Sequence, residues 1–494
     1  MKINRRQFIG SLASGATLAV SQTTAREYRQ RGKSPNLLFV LCDQMRGQAL
    51  GFLDLEPVIT PVLDNFSTES ATLTQAASNY PVCSPYRAML MTGKWPAGNK
   101  VWDNCNSNSE PYGCELQAQD RCWSDVLKEK GYSLGYIGKW HLDAPRSPYI
   151  DCSNNRGSVK WNEWCTPDRR HGFDFWHSYG TYDYHMRPMY WSTSAKREDF
   201  RYVNQWGPEH ETDLTIKYLR NENGKYRVKD NPFALVVSMN PPHMPYAAHP
   251  PEYLKPYKDI PDSEIINKPS ILGADTKMGR YYRKNIRHYY AMISGVDKQF
   301  GRILKTVDEL GLREETIVVF TSDHGNCLGI HNSISKNVAW EESMRVPFMI
   351  RHPGRIKTGH NDLMLSTPDI YPTLLDLMGF KNDIPGTVQG VSHAEALTTG
   401  GGVRPTSQLY IWSPPDSPET GRRGVRTQRH TLVVQTFKNK PPERRLYDNI
   451  KDPYQMENIA TRESRLFTRL YKEELMPWLR KSNDPWIGIN LDSI

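Results

Sequence analysis

The sequence lacks the features that would place it in a membrane, fibrous or disordered class. It contains no run of about 18 or more consecutive apolar residues, the length that a transmembrane helix needs. It also has no low-complexity segment, internal repeat or sustained heptad pattern. Hydrophobic residues make up 38% of the 494 residues and charged residues 24%. This composition is typical of a globular protein. The length indicates two to three domain-sized units, or one large α/β core with a smaller additional unit.

Signals for nucleic-acid binding are also absent. The formal net charge is +9, but no Lys/Arg run or nucleic-acid motif concentrates it, so we expect no nucleic-acid partner. Three of the positive charges, Lys2, Arg5 and Arg6, lie near the N-terminus and leave +6 on the rest of the chain. An excess of this size is compatible with a polyanionic substrate but does not by itself indicate one.

No CxxC pair occurs among the eight cysteines, which argues against a structural zinc site. Five of the cysteines cluster in one part of the chain, at Cys105, Cys114, Cys122, Cys152 and Cys165. In an exported protein these five could close one or two loop disulfides, with pairings that the sequence leaves open. With Cys83 set apart for the reasons below, seven cysteines remain, and we expect at least one free thiol.

Residues 1–25 have the composition of an export signal. A basic start is followed by a short apolar stretch from Phe8 to Val20 and by small residues near Ala25. The pair Arg5-Arg6 before Gln-Phe-Ile looks like a twin-arginine signal, whereas the alternative is a disordered basic tail. The apolar stretch is too short for a resident transmembrane helix. We therefore expect the twin-arginine translocase to export the folded chain to the periplasm or the medium.

The remaining sequence alternates strand-like and helix-like segments. Four apolar runs read as buried strands: PNLLFVLC, GYSLGYIGK, PFALVVSM and ETIVVFTS. Helical patterns precede two of them, at Asp125 to Lys130 and at Ile286 to Leu310. This alternation predicts an α/β domain over residues 35–385, with a large mostly parallel or mixed sheet flanked by helices. Residues 386–494 are predicted to form a smaller α+β subdomain, whose last helix, Glu463 to Leu475, stops before Pro477.

Each of the four predicted strands runs directly into polar residues. The clusters are Asp43-Gln44, Lys139 with His141, His243, and Asp323-His324. Ligands of open α/β sheets bind at the carboxyl ends of the strands. We therefore expect these four clusters to converge on one pocket.

Cys83 stands in the segment NYPVCSPYRAMLMTGKWP, and its neighbours distinguish several possible roles. A phosphatase loop built on a thiolate has an arginine six residues after the cysteine, but that position here is Met89, which excludes the mechanism. A buried inert thiol is the ordinary role of such a cysteine. A disulfide, a metal ligand and a modified residue remain as alternatives on the residues alone.

The segment CSPYRAMLMTG resembles the signature of the type I sulfatases of the alkaline phosphatase superfamily, Cys-x-Pro-x-Arg followed by Thr-Gly. The resemblance covers residues 35 to 480, in family order, through PNLLFVLCDQ, GYIGKWHL, NPPHMPY, VVFTSDHG, SKNVAWEESMRVPFMIRHPG, STPDIYPTLLDLMG and LYDNIKDPYQMENIA. Three positions depart from it. Tyr86 replaces the commonest serine, Gln44 replaces the second aspartate of the usual pair, and His324 replaces the usual asparagine.

The resemblance implies a role for each matching residue. A sulfatase-maturing enzyme would oxidise Cys83 to Cα-formylglycine (3-oxoalanine), whose hydrated aldehyde is the nucleophile. One divalent cation, Ca²⁺ before Mg²⁺, Mn²⁺ or Zn²⁺, would be bound by five residues: Asp43, Gln44, Cys83, Asp323 and His324. The other implied catalytic residues are Arg87, which holds the nucleophile and metal ligands, the sulfate-binding Lys139 and Lys336, the base His141, and the acid His243.

The implied function is hydrolysis of sulfate esters, with a sulfated poly- or oligosaccharide as substrate. Aromatic residues between Asp168 and Tyr190, with His185 and Arg187, are typical either of a sugar-binding rim or of an ordinary core. A rival enzyme on the same fold is a phosphonate or phosphate ester hydrolase, which the identities of Gln44 and His324 permit. A rival of another class is a catalytically silent protein that binds sulfated glycans.

Overall fold

A computed structural model of the chain describes residues 34–438 and 440–487, and these residues form two β-sheets. The expected signal of residues 1–25 lies outside the described residues. The strands are β1 (Asn36–Cys42), β2 (Ala71–Leu73), β3 (Ser133–Lys139), β4 (Phe175–Tyr179), β5 (Met189–Ser192), β6 (Arg201–Tyr202), β7 (Phe233–Met239), β8 (Thr316–Ser322), β9 (Phe348–Arg351), β10 (Gly359–Asn361), β11 (Ser407–Trp412), β12 (Gly421–Thr427), β13 (His430–Phe437) and β14 (Lys440–Asp448).

Helices cover both faces of the larger sheet. The α-helices are α1 (Pro61–Glu69), α2 (Cys83–Thr92), α3 (Pro96–Asn99), α4 (Trp123–Glu129), α5 (Gly207–Arg220), α6 (Pro251–Leu254), α7 (Asp262–Ile265), α8 (Lys277–Glu309), α9 (Glu341–Met344), α10 (Ile370–Leu377), α11 (Ala394–Thr398), α12 (Ser464–Leu470) and α13 (Met476–Lys481).

The larger sheet has ten strands in the order β10-β2-β9-β8-β1-β7-β3-β4-β5-β6. Its five central strands, β8 to β4 in this order, are parallel, and antiparallel strands lie on both sides of them. Alternate residues of β1 enter different cores. Leu37 and Phe39 pack with α2 and α10, whereas Leu38 and Val40 pack with α5 and α8. A strand buried on both faces needs apolar residues throughout, which explains its continuous apolar run.

The fold-class prediction is confirmed, but some helix bounds differ from the prediction. The helix before β8 begins at Lys277 instead of Ile286, because the Thr276 side chain accepts a hydrogen bond from the backbone of Gly279 and caps it. The C-terminal helix does not stop before Pro477. A π-helical segment at Tyr471–Leu475 continues directly into α13, which begins at Met476 and includes Pro477 in its first turn.

The smaller sheet is antiparallel, in the order β11-β12-β13-β14, and packs against the segment that precedes α2. The Asn79 side chain donates to the Leu409 carbonyl (2.6 Å), and the Asn79 carbonyl accepts from the Ile411 amide (2.8 Å). Tyr80 and Val82 share a hydrophobic core with this sheet. The smaller sheet therefore contacts the chain directly beside Cys83. The domain boundary between residues 385 and 386 stays a prediction.

The expected disulfides are absent from the described residues, which include all eight cysteines. Each cysteine is a buried free thiol. Three of the five clustered residues, Cys105, Cys122 and Cys165, belong to the core of the larger sheet, whereas Cys114 and Cys152 belong to other cores. These five thiols act as small apolar groups and are distributed over three hydrophobic cores. Among the described helices, we find none with the length and hydropathy to cross a membrane.

Candidate active site

The polar clusters predicted at the strand ends meet at one edge of the larger sheet. The strands β8, β1, β7 and β3 are consecutive neighbours and parallel, so their carboxyl ends lie side by side. Asp43 follows β1, Asp323 follows β8, Asn240 follows β7, and Lys139 ends β3. This arrangement brings two carboxylates and an ammonium group into a buried cluster.

Cys83 is the first residue of α2 and lies at the centre of this cluster. Its Sγ is 3.0 Å from Lys336 Nζ, 3.4 Å from His324 Nε2, 3.7 Å from Asp43 Oδ1 and 3.8 Å from Lys139 Nζ. Burial and the Asp43 carboxylate oppose ionisation of the thiol, but the surrounding cations outweigh them and hold its pKa well below the usual value. The amino end of the helix adds a further positive potential at this position. Position 83 therefore lies in a site that is suited to an anion.

Arg87 lies one turn further along α2 and holds the cluster together from beneath. Its guanidinium donates to Asp323 Oδ2 (3.1 and 3.2 Å) and to Asp43 Oδ2 (3.4 Å). It also donates to the Lys139 carbonyl and the Ser238 hydroxyl, each at 2.8 Å. Burial opposes the charge on this group, but the carboxylates outweigh it and raise its pKa. One buried arginine thus connects all four strand ends, since Ser238 lies next to the end of β7.

The two carboxylates have different pKa values. Burial and the charge of Asp43 raise the pKa of Asp323 to about 6, although His324 and Arg87 act in the opposite direction. Burial also acts to raise the pKa of Asp43, but Lys139, whose Nζ is 2.7 Å from Oδ2, outweighs it, and the pKa is lowered. Two adjacent buried carboxylates of this kind would be stabilised by a bound cation.

The donor set fits one divalent cation. The ligand atoms of Asp43, Cys83, Asp323 and His324 all lie within 4.8 Å of one another. His324 Nδ1 donates to the Gly325 carbonyl (2.8 Å), so Nε2 carries the lone pair and faces the cluster, where it lies 3.1 Å from Lys336 Nζ. Gln44 Oε1 is buried and has no hydrogen-bond partner among the described residues, as a metal ligand would be without its ion.

Lys139 approaches Cys83 from the end of a strand, whereas Lys336 approaches it from a loop. Lys139 is 1% exposed, ends a central strand, and donates to Asn240 Oδ1 (3.2 Å). Gly138 permits this close packing, because a Cβ at its φ of +97° would lie 2.1 Å from the Ser238 carbonyl oxygen. Lys336 lies in the loop between β8 and α9 and is half-buried. The loop is therefore a second source of positive charge in the site.

His141 has one ring nitrogen available. Its Nε2 is 3.2 Å from the Cys105 carbonyl and must donate to it, whereas Nδ1 is buried without a partner among the described residues. Burial lowers the pKa of this imidazole, although Cys83 acts to raise it. A neutral His141 with a free lone pair is equipped to accept a proton.

His243 lies on the loop after β7 and is oriented by Asp183. Its Nδ1 is 3.2 Å from Asp183 Oδ1 and 2.9 Å from the Met244 carbonyl, so Nδ1 carries a hydrogen and Nε2 remains available. His185 is 2% exposed, and its Nε2 lies 2.9 Å from the His243 carbonyl and 3.2 Å from the Met244 carbonyl. It therefore supports the His243 loop from beneath and is not exposed at a rim.

The aromatic segment before Tyr190 is mainly core. Phe173, Trp176 and Tyr179 are buried, whereas Tyr184 is 53% exposed. Arg187 is exposed and stacks over the Tyr202 ring at 4.8 Å, apart from the buried cluster. The structure thus brings together every predicted metal ligand and catalytic residue, but separates Arg187 from them.

Sequence reasoning missed two residues that orient the predicted ones. Asn240 accepts from Lys139 and donates to Asp183 Oδ1 (3.3 Å), and Asp183 in turn faces His243. Asn240 directly follows a predicted strand and directly precedes the PPH sequence. Its position at a strand end is therefore a signal from which it could have been predicted. Asp183 lies in the aromatic segment, where no local pattern indicates its partner.

Comparisons with known proteins show which family the chain resembles. The Sulfatase family model matches residues 35–380, and the model for the C-terminal region of N-sulphoglucosamine sulphohydrolase matches residues 329–478. The chain is 35% identical to an endo-4-O-sulfatase of Bacteroides thetaiotaomicron, over 96% of this chain and 97% of that protein. It is 33% identical to an ulvan-active sulfatase of Formosa agariphila, over 88% of this chain and 78% of that protein.

A solved structure is similar over nearly the whole chain. The crystal structure of the sulfatase candidate yidJ from Bacteroides fragilis superposes with a TM-score of 0.88 at 49% identity, covering 92% of this chain and 97% of that one. The family model alone spans well over half of the sequence. The chain therefore belongs to the type I sulfatase family, and it is a sulfatase.

Proposed function

We propose that this sulfatase removes sulfate groups from sulfated poly- or oligosaccharides, using a formylglycine formed from Cys83. Two relatives that match most of the chain support this substrate class by their names, endo-4-O-sulfatase and ulvan-active sulfatase. The observation that carries the proposal is the convergence of two lysine ammonium groups on residue 83, beside a set of metal ligands.

The proposed nucleophile is a geminal hydroxyl of the hydrated aldehyde at position 83. This hydroxyl loses its proton to solvent and attacks sulfur while the bond between sulfur and the sugar oxygen breaks, which leaves the sulfate ester on residue 83. Lys139 and Lys336 neutralise the sulfate oxygens as negative charge shifts toward the departing sugar oxygen. Arg87 holds Asp43 and Asp323 in place and keeps the start of α2 fixed against them.

Release of sulfate requires the second geminal hydroxyl. His141 takes the proton of this hydroxyl, the bond between carbon and the sulfate oxygen breaks, and the aldehyde returns. Its free Nδ1 and its lowered pKa support this role as a base. Neither a plain serine nor a plain cysteine has a second hydroxyl, so neither could release sulfate by this route.

The sugar oxygen needs a proton as it leaves. We assign this proton to His243 in its imidazolium form: Asp183 holds Nδ1–H, and Nε2–H gives its proton to the sugar oxygen. His185 supports the loop, and exposed Arg187 remains a proposed contact for a more distant part of the saccharide.

Asp43, Gln44, Asp323 and His324, together with residue 83, would hold the cation, for which we propose Ca²⁺. When bound, it supplies positive charge to the sulfate and lowers the pKa of the attacking hydroxyl. Four of these five side chains offer oxygen once residue 83 is formylglycine, which favours Ca²⁺ or Mg²⁺, whereas the imidazole nitrogen also suits Mn²⁺ or Zn²⁺.

Mass spectrometry of the peptide that contains Cys83 tests the nucleophile. In protein purified from its native host, where we propose that a sulfatase-maturing enzyme acts, the peptide should carry the aldehyde or its hydrate. If alkylation modifies Cys83 quantitatively in fully active enzyme, the proposed nucleophile is wrong.

Substrate ranking tests the proposed function itself. Lys139, Lys336 and one cation can neutralise either a sulfate or a phosphate ester, so some promiscuity is expected. We still expect higher kcat/KM for sulfated saccharides than for matched phosphate or phosphonate esters, because the ranking depends on protonation of the sugar oxygen, which His243 can supply. A preference for phosphonate esters would instead support the rival hydrolase. No turnover of any ester by fully converted enzyme would support a glycan-binding protein.

Export by the twin-arginine translocase is also part of the proposal. It rests on the sequence of residues 1–25, which predicts a periplasmic or secreted enzyme. Replacement of both Arg5 and Arg6 by lysine should retain the protein in the cytoplasm, as measured by cell fractionation. Unchanged accumulation in the periplasm would contradict this route.

A further inference from the structure

The loop that carries Lys336 is attached to both sheets through three consecutive residues. The Ser335 hydroxyl accepts from Gln44 Nε2 (3.2 Å), and Lys336 Nζ is 3.0 Å from Cys83 Sγ. The backbone of Asn337 then makes the next contacts. Its amide donates to the carbonyl of Pro81 (3.1 Å), two residues before Cys83.

The carbonyl of Asn337 is bound by the smaller sheet. It accepts from the Tyr410 hydroxyl on β11 (3.2 Å) and from Arg422 Nη1 on β12 (3.0 Å). Arg422 is itself fixed, because Nε donates to Gln435 Oε1 (3.0 Å) and its guanidinium stacks over the Trp412 ring at 4.6 Å. Two rigid donors on neighbouring strands therefore hold one carbonyl.

Asn337 has a backbone conformation that few residues adopt readily. Its φ is +72°, in the left-handed region, where asparagine is one of the tolerated residues. Such a conformation persists when the surrounding contacts determine it. Here the amide and the carbonyl of the same residue are both bound, by Pro81 and by the smaller sheet respectively.

We infer that the smaller sheet sets the position of Lys336, with Tyr410 and Arg422 as positioning residues that act through the Asn337 carbonyl. The inference rests on the sulfate-binding role proposed above for Lys336. Lys139 is fixed by its own strand and by Asp43, but the loop backbone at Lys336 belongs to no strand. The smaller sheet supplies that constraint, and thus forms a functional part of the active site.

A double-mutant cycle tests the inference. Tyr410→Phe removes one donor and keeps the ring, and Arg422→Lys keeps the charge but cannot bind Asn337 and Gln435 in the same fork. We expect each variant to lower kcat for a chromogenic aryl sulfate by about 3- to 10-fold, the value of one hydrogen bond. Arg444→Lys, an exposed change on β14, serves as the matched control and should leave kcat unchanged.

The cycle is completed in the background of Lys336→Ala. If Tyr410 and Arg422 act through Lys336, adding either change to Lys336→Ala should alter kcat by less than about two-fold. Equal losses in both backgrounds would overturn the inference, because a general structural role does not depend on Lys336. Full activity of Lys336→Ala would also overturn it. The proposed function would still stand in that case if the wild-type enzyme hydrolyses sulfated saccharides.

Hydrogen exchange provides a second measurement that does not depend on turnover. In folded Tyr410→Phe and Arg422→Lys, the amide of Asn337 should exchange faster than in the wild type and in Arg444→Lys. Unchanged exchange of this amide in both variants would show that the smaller sheet does not constrain the loop.

Discussion

The active site has a strand-borne part and a loop-borne part, which differ in how their side chains are held. Asp43, Lys139 and Asp323 end or directly follow central strands and are almost fully buried. His243 and Lys336 lie on loops and are half-buried. The strand-borne groups bind one another and Arg87, whereas each loop-borne group depends on a separate support.

The side chains of the two parts are held in position by different kinds of contact. The hydrogen-bonded register of the parallel strands fixes the positions of the strand-borne groups, so these side chains need little further support. The loops are constrained by Asp183 beneath His243 and by the smaller sheet behind Asn337. Changes to the two parts should therefore have different consequences for stability and for activity.

The largest effect on activity should follow from loss of Asp323, one of the two carboxylates proposed to bind the cation. Asp323→Ala should lower kcat by about 10³-fold or more and abolish stoichiometric metal binding, because one of two paired buried carboxylates is lost. Metal content by elemental analysis and the rate of hydrolysis measure this directly. Chelation of the wild type should match the variant, and one divalent ion should restore only the wild type. The exposed Asp275→Ala is the control, and an unchanged rate in metal-free enzyme would refute the cation site.

Substitution of Lys139 and of Lys336 compares the strand-borne part with the loop-borne part directly. Lys139→Met and Lys336→Met should each lower kcat by about 10²- to 10³-fold, because each removes a charge from the sulfate. Their effects on stability should differ. Loss of Lys139 leaves Asp43 buried without its closest partner, which costs about 3 kcal/mol of unfolding free energy, whereas loss of half-buried Lys336 costs less than about 1 kcal/mol.

Denaturant unfolding in the presence of a chelator measures this difference, since a bound cation would otherwise compensate for Lys139. Equal losses of stability would remove the distinction between the strand-borne and loop-borne lysines. Unchanged kcat in either variant would exclude that lysine from sulfate binding.

A smaller effect is expected at His243 and its support. His243→Ala should lower kcat/KM for a sugar sulfate about 10- to 100-fold more than for an aryl sulfate, because a phenolate leaves without a proton. Asp183→Asn should shift the same ratio in the same direction but less, since the imidazole stays in place. Steady-state kinetics on both substrates measure the ratio. Equal losses on both substrates would exclude His243 as the acid.

The smallest effect on activity is expected from a change at Glu211, a buried residue outside the proposed catalytic set. Glu211 on α5 accepts from the Tyr190 hydroxyl (3.0 Å), and burial raises its pKa from 4.5 to about 8. The unfolded chain loses this proton above about pH 4.5, whereas the folded chain keeps it until about pH 8. The free energy of unfolding should therefore fall as the pH rises through this range.

Glu211→Gln should remove this dependence and raise the unfolding free energy at pH 8, by on the order of 3 kcal/mol, with little change in kcat. Urea unfolding between pH 5 and 9 checks it, with exposed Glu198→Gln as the control. An identical slope with pH in Glu211→Gln and wild type would refute the raised pKa.

Much of the strand-borne part could be predicted from the sequence. Strands buried on both faces have continuous apolar runs, and the polar residues after them identify the functional edge of a parallel sheet. Asp43, Lys139 and Asp323 follow this rule, and the signature around Cys83 added the nucleophile. Helix starts were less predictable, because the cap at Thr276 extends α8 through a polar segment whose burial depends on packing.

The sequence by itself determined the fold class, four of the central strands in their order along the chain, and the chemical groups at the ends of these strands. Only the tertiary structure decided the contacts between distant segments. Tyr410 and Arg422 lie 73 and 85 residues from Asn337, and Asp183 lies 60 residues from His243, so no local pattern encodes these pairs. The same holds for the five clustered cysteines, which pack as thiols in different cores. Local sequence specifies the backbone period and burial of each element, whereas the partner of a side chain depends on which elements pack against each other.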